Sequence, residues 1–300
     1  MVESGQSQVL SNTPPLVTVA MPIFNAGGYL RMAVLSIIQQ TFQHWELLII
    51  DDGSTDNAMQ DIADIIDVRI KVFRDGNNHG LAARLNEAID FARGTYFARM
   101  DQDDVSFPDR FARQIEALQN DPRLDLVAVR AVTVSVEDQV MGLLPYAITH
   151  EEVCARPWMG FYFPHPTWMG RIEWFRKYRY TVPGPYCSED QELLLRSFAS
   201  SRFVTIPEVL FAYRIRKKIN VRKHFFTRFT VLKFQLRYLF AKLDLFQALL
   251  SILVFVGRIF SDLLKHFISV FGLSNVFRPR PVEAQLLTRW KEVRKALIRK

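Results

Sequence analysis

Gly94-Thr95-Tyr96-Phe97-Ala98-Arg99-Met100-Asp101-Gln102-Asp103-Asp104 is a short apolar run that delivers three carboxylates within four residues. Like charges so close repel one another, and a cation or cationic ligand among them relieves the repulsion. Acidic clusters of this size also serve as plain solvated loops. Position separates the two readings. The cluster follows directly on a predicted strand, and open α/β sheets bind ligands beyond the carboxyl ends of their strands.

Working outward, Leu16–Met21 is a β-rich run stopped by Pro22. Gly27 and Gly28 open a helical pattern over Tyr29–Gln40, with Leu30, Ala33, Val34, Ile37 and Ile38 on one face. Trp45–Ile50 is a nearly continuous apolar strand, as expected where both faces of a parallel sheet are covered. It ends in Asp51-Asp52-Gly53-Ser54-Thr55-Asp56, where Ser54 or Thr55 can cap a helix running to about Ile66. Arg69–Phe73 is a third strand. Gly80 precedes a helix carrying Leu81, Leu85, Ala88, Ile89 and Ala92, which Gly94 terminates. Strands alternating with helices through short Gly- and Asp-containing turns predict a doubly wound, mostly parallel α/β sheet. Asn25, Asp51, Asp52 and Asp101–Asp104 all follow strands and gather along one sheet edge. Pro108 starts a helix through about Gln119, and Asp125–Val134 is a fifth strand.

Downstream the pattern changes. From Gly142 to Tyr186 it is irregular and aromatic, with Trp158, Phe161, Tyr162, Phe163 and Trp168, a composition that suits either core or a surface stacked on sugar rings. Ser188-Glu189-Asp190 starts a helix, with a serine cap and two acids opposing the positive helix end. A basic run follows: Arg214, Arg216, Lys217, Lys218, Arg222 and Lys223. Roughly fifty Phe- and Leu-rich residues come next, from Phe225 to Leu273. Leu245–Gly257 is free of charge but falls short of the roughly eighteen residues a bilayer span needs. Helices lying in a membrane interface, with basic residues at the headgroups, fit this region better than a spanning helix, with a re-entrant hairpin or helices packed on the preceding domain as alternatives. Arg278–Pro281 reads as a linker and Val282–Lys300 as a basic amphipathic tail.

The 300 residues are 49% hydrophobic and 23% charged, with a net charge of +7. That charge suits a nucleotide ligand or an anionic membrane. No nucleic-acid-binding module accompanies it, so nucleic acid is not an expected partner. Cys154 and Cys187 show no metal-ligand spacing and read as inert thiols of a reducing compartment. Met1–Pro15 is a loose polar leader without the pattern of a secretory signal.

Val19–Asn25, Gln39–Phe42, Asp51–Asp56, Ala83–Asn86, Gly94–Tyr96 and Asp101–Asp104 occur in the order and spacing of family 2 glycosyltransferases, which have the GT-A fold and use nucleotide-sugar donors. His165-Pro166-Thr167, Glu189-Asp190 and Tyr213-Arg214 extend the resemblance over residues 16 to 215. By resemblance, Asp103 touches a divalent metal, Mn²⁺ or Mg²⁺, with Asp101 near the ribose or a metal-bound water, while Asp104 orients the loop. A hard cation bridging diphosphate oxygens is what carboxylate ligands favour. The resemblance also places Pro22 and Phe24 in a base pocket with Asn25 beside them, has Asp52 accept a hydrogen bond from the base, and brings Arg84 to the base or diphosphate. Relatives often carry Tyr at the position of Phe24. Asp190 matches the base that deprotonates the acceptor hydroxyl, supported by Glu189. At a helix N-terminus such a base has its pKa lowered. Arg216 stands where relatives place a His that faces the diphosphate. Gln285–Trp290 resembles a signature of processive polysaccharide synthases but is one residue too long and is set aside.

The expected organisation is therefore a leader over 1–15, a GT-A-like domain over 16–215 and a helical, membrane-associating region over 216–300. The expected activity is inverting, metal-dependent transfer of a sugar, from a UDP-sugar before a GDP- or dTDP-sugar, to a membrane-linked glycan or lipid-carried acceptor in bacterial surface polysaccharide assembly. The expected location is the cytoplasmic face of the inner membrane. Two alternatives are a sugar nucleotidyltransferase, whose basic Gly-rich loop Phe24–Gly28 lacks, and a non-catalytic nucleotide- or carbohydrate-binding protein.

Overall fold

The computed structural model describes residues 14–185, 187–215, 221–270 and 282–298. The leader up to residue 13, Arg216 and the Arg278–Pro281 linker lie outside the described residues. Strands β1 (Val17–Ile23), β2 (Trp45–Asp51), β3 (Ile70–Arg74), β4 (Tyr96–Arg99) and β5 (Val105–Ser106) enclose helices α1 (Leu30–Ile38) and α2 (Leu81–Phe91). After α3 (Arg110–Asn120) come β6 (Leu126–Val134), β7 (Val140–Leu143), α4 (His150–Cys154), β8 (Met169–Arg171), α5 (Ile172–Lys177), α6 (Glu189–Ser197) and β9 (Phe203–Arg214). Three helices follow: α7 (Val221–Ala241), α8 (Leu245–Val270) and α9 (Ala284–Ile298).

The strands form one sheet in the order β3-β2-β1-β4-β8-β6-β9-β5, with β7 on β6. Pairings β1–β2, β2–β3, β1–β4 and β6–β9 are parallel; β8 runs antiparallel to both β4 and β6. Alternation along β1 sends Val17, Val19, Met21 and Ile23 to the face covered by α1, and Ala20 to the face covered by α2. Leu30, Ala33, Val34 and Ile37 on the first side, and Leu85, Ala88 and Ile89 on the second, are all fully buried. Each leucine, isoleucine and valine among them contributes about 1.5–3 kcal/mol by leaving water. This two-faced burial is why Leu47–Ile50 of β2 is an unbroken apolar run.

Several local expectations are corrected. β1 does not stop at Pro22 but runs on to Ile23, with Pro22 opposite Ile50. The missing N–H of Pro22 would point toward β4, which ends at Arg99 and pairs β1 only through Ala20, so no ladder bond is lost. The stretch after Ser54 is not a helix to Ile66; it holds a single 3-10 turn, Gln60–Ile62. Its capping groups are diverted to the neighbouring loop, with Asn25 N–H donating to Ser54 Oγ at 3.1 Å and Gly27 N–H to Asp56 Oδ2 at 2.8 Å. Gly94 does more than end α2: a Cβ there would sit 2.5 Å from Thr18 N, so only glycine allows this close approach. The aromatic segment is mainly core, with Phe161, Phe163 and Trp168 buried and Tyr162 exposed.

The C-terminal region is helical as expected, but its apolar helix extends beyond the charge-free Leu245–Gly257. Leu245–Ile268 forms 24 residues of helix with a mean hydropathy of 1.7, long and apolar enough to cross a membrane. Arg258 and Asp262 do not interrupt it because both are engaged: Arg258 Nη2 donates to the Met159 carbonyl at 2.8 Å, and Arg228 Nη2 to Asp262 Oδ1 at 3.0 Å. Asp244 caps α8 by accepting from Gln247 N–H at 3.0 Å.

Candidate active site

The carboxyl ends of β1, β2 and β4 meet at one edge, and their loops are tied side by side. Asn25, held at φ 49°, accepts Thr55 N–H at 2.8 Å through Oδ1. Asp51 Oδ1 accepts Ser54 N–H at 2.8 Å. Phe24 is 45% exposed beside this junction, while Pro22 is buried in the strand beneath.

Asp52 is buried and holds the 79–84 segment. Its carboxylate accepts His79 N–H at 2.7 Å, Gly80 N–H at 3.0 Å and Arg84 Nε at 2.9 Å. Arg84, itself buried, also donates through Nη1 to Asp75 Oδ2 and Glu87 Oε2, and through Nη2 to Asp75 Oδ1 and the Asn77 carbonyl. All five of its N–H groups are thus used, so it locks the 75–80 loop over Asp52 rather than reaching toward a phosphate. Gly53 at φ 78° lets this loop lie close, since a Cβ would meet Asn77 C at 2.9 Å.

The members of the opening acidic stretch sit in different surroundings. Gln102 reaches back to β1: its Oε1 accepts Phe24 N–H at 2.7 Å and its Nε2 donates to the Phe24 carbonyl at 3.1 Å. Asp104 is buried and accepts Arg214 N–H at 2.8 Å through Oδ1. Burial, then the charges of Asp101 and Asp103, push its carboxyl well above the usual range. Arg214 Nε also donates to the Asp103 carbonyl at 2.8 Å. Asp101 stays partly open and pairs with Arg99 beneath it.

Arg99 is the residue the sequence reading passed over. Only 2% of its side chain is exposed, at the end of an otherwise apolar strand. Burial opposes its charge, but Asp101, Tyr180 and Glu189 outweigh that and hold its pKa above the ordinary value. The signal was a lone arginine in Phe97-Ala98-Arg99-Met100, a position where a charge has no reason to sit without a partner. Arg110, fully buried, pins the strand end by donating to the Arg99 carbonyl at 2.9 Å, and burial pulls its own pKa down to about 9.

Across Arg99 lie Glu189 and Asp190 at the start of α6. Ser188 occupies the N-cap but makes no capping hydrogen bond with its side chain. The pKa expected to fall at this helix end instead rises. Burial, then the charge of Asp190, pushes Glu189 up to about 7, and the charge of Asp101 adds to the effect. Burial likewise raises Asp190, although Gln191 Nε2 donates to its Oδ2 at 3.1 Å. Desolvation therefore outweighs the helix dipole. His165 Nε2 and the Tyr180 hydroxyl bond at 2.7 Å nearby, and burial, then Arg99, keep the imidazole neutral. The structure thus brings Asp101, Glu189 and Asp190 into one electrostatic neighbourhood around Arg99.

Among the described residues no three His, Cys, Asp or Glu side chains converge as a closed metal cage. Asp101 and Asp103 offer hard oxygen ligands at an open loop. A hard divalent ion commonly takes one or two carboxylates and completes its shell with phosphate oxygens and water, so this donor set fits an ion shared with a substrate. A surface groove of about 620 Å³ lies elsewhere, between Glu137–Val140 and α9.

A family model described as "Glycosyl transferase family 2" matches residues 18–179. The glycosyltransferase EpsE of Bacillus subtilis is 35% identical over 222 residues, covering 71% of this chain and 77% of its own length. WfgD of Escherichia coli, named as a UDP-Glc:α-D-GlcNAc-diphosphoundecaprenol β-1,3-glucosyltransferase, is 33% identical over 103 residues, covering 34% of this chain and 41% of its own. The match thus spans under half of some relatives. The mannosyltransferase PcManGT of Pyrobaculum calidifontis, solved with GDP-Man and Mn²⁺, superimposes with a TM-score of 0.60 over 96% of this chain and 87% of its own, at 14% identity. That likeness carries the fold. The family model and the EpsE match together show that the chain belongs to glycosyl transferase family 2.

Proposed function

We propose that the chain moves one sugar, with inversion, from a nucleotide diphosphate to a hydroxyl of a membrane-linked glycan or lipid-carried acceptor. The meeting of the Asp101–Asp104 loop with Glu189–Asp190 around Arg99 supports it above all, because it sets a diphosphate-side carboxylate pair against a desolvated base. In this reading the nucleoside lies beside Phe24 and Asn25, with Asp52 and Arg84 holding the loop that borders it. Asp103, with Asp101, holds a Mn²⁺ or Mg²⁺ ion. When bound, that ion offsets the charge developing on the departing diphosphate.

Asp190 accepts the acceptor's proton as the hydroxyl oxygen bonds to the anomeric carbon. The bond to the diphosphate oxygen breaks on the opposite face, and the diphosphate leaves with the electron pair. Burial raises the basicity of Asp190, which suits that task. Glu189 orients the acceptor.

For the acceptor, the supporting observation is the α7–α8 hairpin. Leu249, Leu253, Val256, Phe260 and Leu264 form an exposed apolar stripe on α8, and Arg222, Lys233, Arg237 and Lys265 are exposed around it. The hairpin docks beside α6, with Phe198 and Tyr238 rings 5.9 Å apart and Gln235 Nε2 donating to the Pro157 carbonyl at 2.7 Å. A basic, apolar surface packed on the helix that carries the base suits an acceptor held at the cytoplasmic membrane face. WfgD, by its name, acts on a diphosphoundecaprenol-linked sugar with UDP-Glc, which favours a UDP-sugar and a polyprenyl-linked acceptor here.

The test is a thermal-shift screen of UDP-, GDP- and dTDP-sugars with and without Mn²⁺, followed by turnover. Asp103→Ala should abolish the metal-dependent shift with the fold intact. Asp190→Asn should keep the shift and lose turnover by at least about a hundredfold. Full turnover in Asp190→Asn removes the base assignment.

A further inference from the structure

Asp138 sits at the β6–β7 turn in a left-handed conformation, φ 63°, that a non-glycine residue seldom adopts. Its carboxylate joins two arginines from distant elements. Oδ1 accepts Arg214 Nη1 at 2.7 Å and Oδ2 accepts Arg294 Nε, on α9, at 2.8 Å. Its carbonyl accepts Trp290 Nε1, also on α9, at 2.9 Å. Arg214 is the residue that donates to the Asp103 carbonyl and, through its backbone, to Asp104 Oδ1. Its side chain is 1% exposed and its guanidinium lies 4.5 Å from the Tyr29 ring centroid.

A second connection meets the same loop just downstream. The Trp290 ring stacks on Phe107 with centroids 6.3 Å apart, the Arg289 guanidinium lies 5.3 Å from that ring, and Arg289 pairs with Asp109 at 3.6 Å. Trp290 and Leu297 are buried against the first core, and Gln39 Nε2 donates to the Ala296 carbonyl at 3.2 Å. The α9 helix therefore reaches the acidic loop indirectly, through Asp138 and Arg214 and through Phe107 and Asp109 just downstream.

We propose that α9 is a clasp that sets the position of the Asp101–Asp104 loop, with Asp138 as the positioning residue that relays it through Arg214. The proposal rests on the reading of that loop as the diphosphate–metal site. The Gln285–Trp290 stretch, set aside as a motif, gains a physical role through Arg289 and Trp290. Beside the Gln102 bonds to Phe24 and the Arg99–Asp101 pair, Arg214 holds the Asp103–Asp104 half of the loop. Arg214 in turn is held by the Ser135 carbonyl at 2.8 Å and by a carboxylate that α9 shares.

The test uses the full chain. Asp138→Asn and the double variant Trp290→Ala/Arg294→Ala are compared with the unaltered protein by amide hydrogen exchange and by turnover with the donor found in the screen. Exchange over residues 102–107 should rise about tenfold in both, matching the loss of one charge-assisted hydrogen bond, while β1 and β2 stay protected. The half-saturating Mn²⁺ should rise about tenfold, with the donor KM at saturating Mn²⁺ little changed. Arg294→Lys, which keeps one charged donor, should recover much of the loss. Unchanged exchange over 102–107 in both variants overturns the clasp, as does an equal rise across the whole sheet. The exchange arm does not depend on the metal reading: loosening of the loop with metal-independent turnover would keep the clasp and remove the metal assignment.

Discussion

Replacing Glu189 by Gln should make the protein more stable, and only above mildly acidic pH. Burial and the neighbouring Asp190 lift the Glu189 carboxyl from its ordinary 4.5 to about 7 in the folded state. A folded-state pKa above the unfolded one means that the native protein holds this proton more tightly. The associated stability is fully present below about pH 4.5 and is lost as pH rises through about 7. At about 1.4 kcal/mol per pH unit, the ceiling on that loss is about 3 kcal/mol, and the partial exposure of the side chain brings it nearer 2 kcal/mol. Urea unfolding of both proteins at intervals from pH 4.5 to 8.5 measures it. The stability of Glu189→Gln minus that of the unaltered protein should climb by about 2 kcal/mol between pH 4.5 and 7.5 and then level off. A change in hydrogen bonding from the amide would move the whole curve without altering its shape. A difference that is flat across this range, or one that falls with rising pH, would falsify the assignment of Glu189 as a desolvated, charge-crowded carboxyl.

Arg84→Met should cost roughly 3 kcal/mol, because it leaves the buried Asp52 carboxylate without its cation; the half-exposed Asp75 adds little. A loss below about 1 kcal/mol in urea unfolding would show that water already compensates Asp52. On the hairpin, Phe246→Ser/Leu253→Ser/Phe260→Ser alters exposed positions only and should leave unfolding free energy within about 1 kcal/mol. The same variant should bind vesicles containing anionic lipid at least about tenfold more weakly in flotation assays. Equal binding would mean that this face does not meet the membrane.

The sheet and its ligand edge were legible in the sequence because they rest on local periodicity. A continuous apolar β2, amphipathic helices between strands, and carboxylates placed at strand ends leave few other arrangements. The position of the Asp101–Asp104 cluster just beyond β4 was legible in the same way. What the sequence could not carry was pairing over distance. Ser54, read as a cap, and Asp56 become bridges to the β1 loop, and Arg84 turns inward to Asp52, because partners far away in the chain offer better hydrogen bonds than the local helix would. The rise of the Glu189 and Asp190 pKa values, opposite to what a helix N-terminus implies, comes from a burial that only the packed α6 and its neighbours create. Arg99 and Asp138 belong to the same class: each is one ordinary charge in the sequence. Each gains its meaning from carboxylates or guanidinium groups that the tertiary structure alone brings within reach.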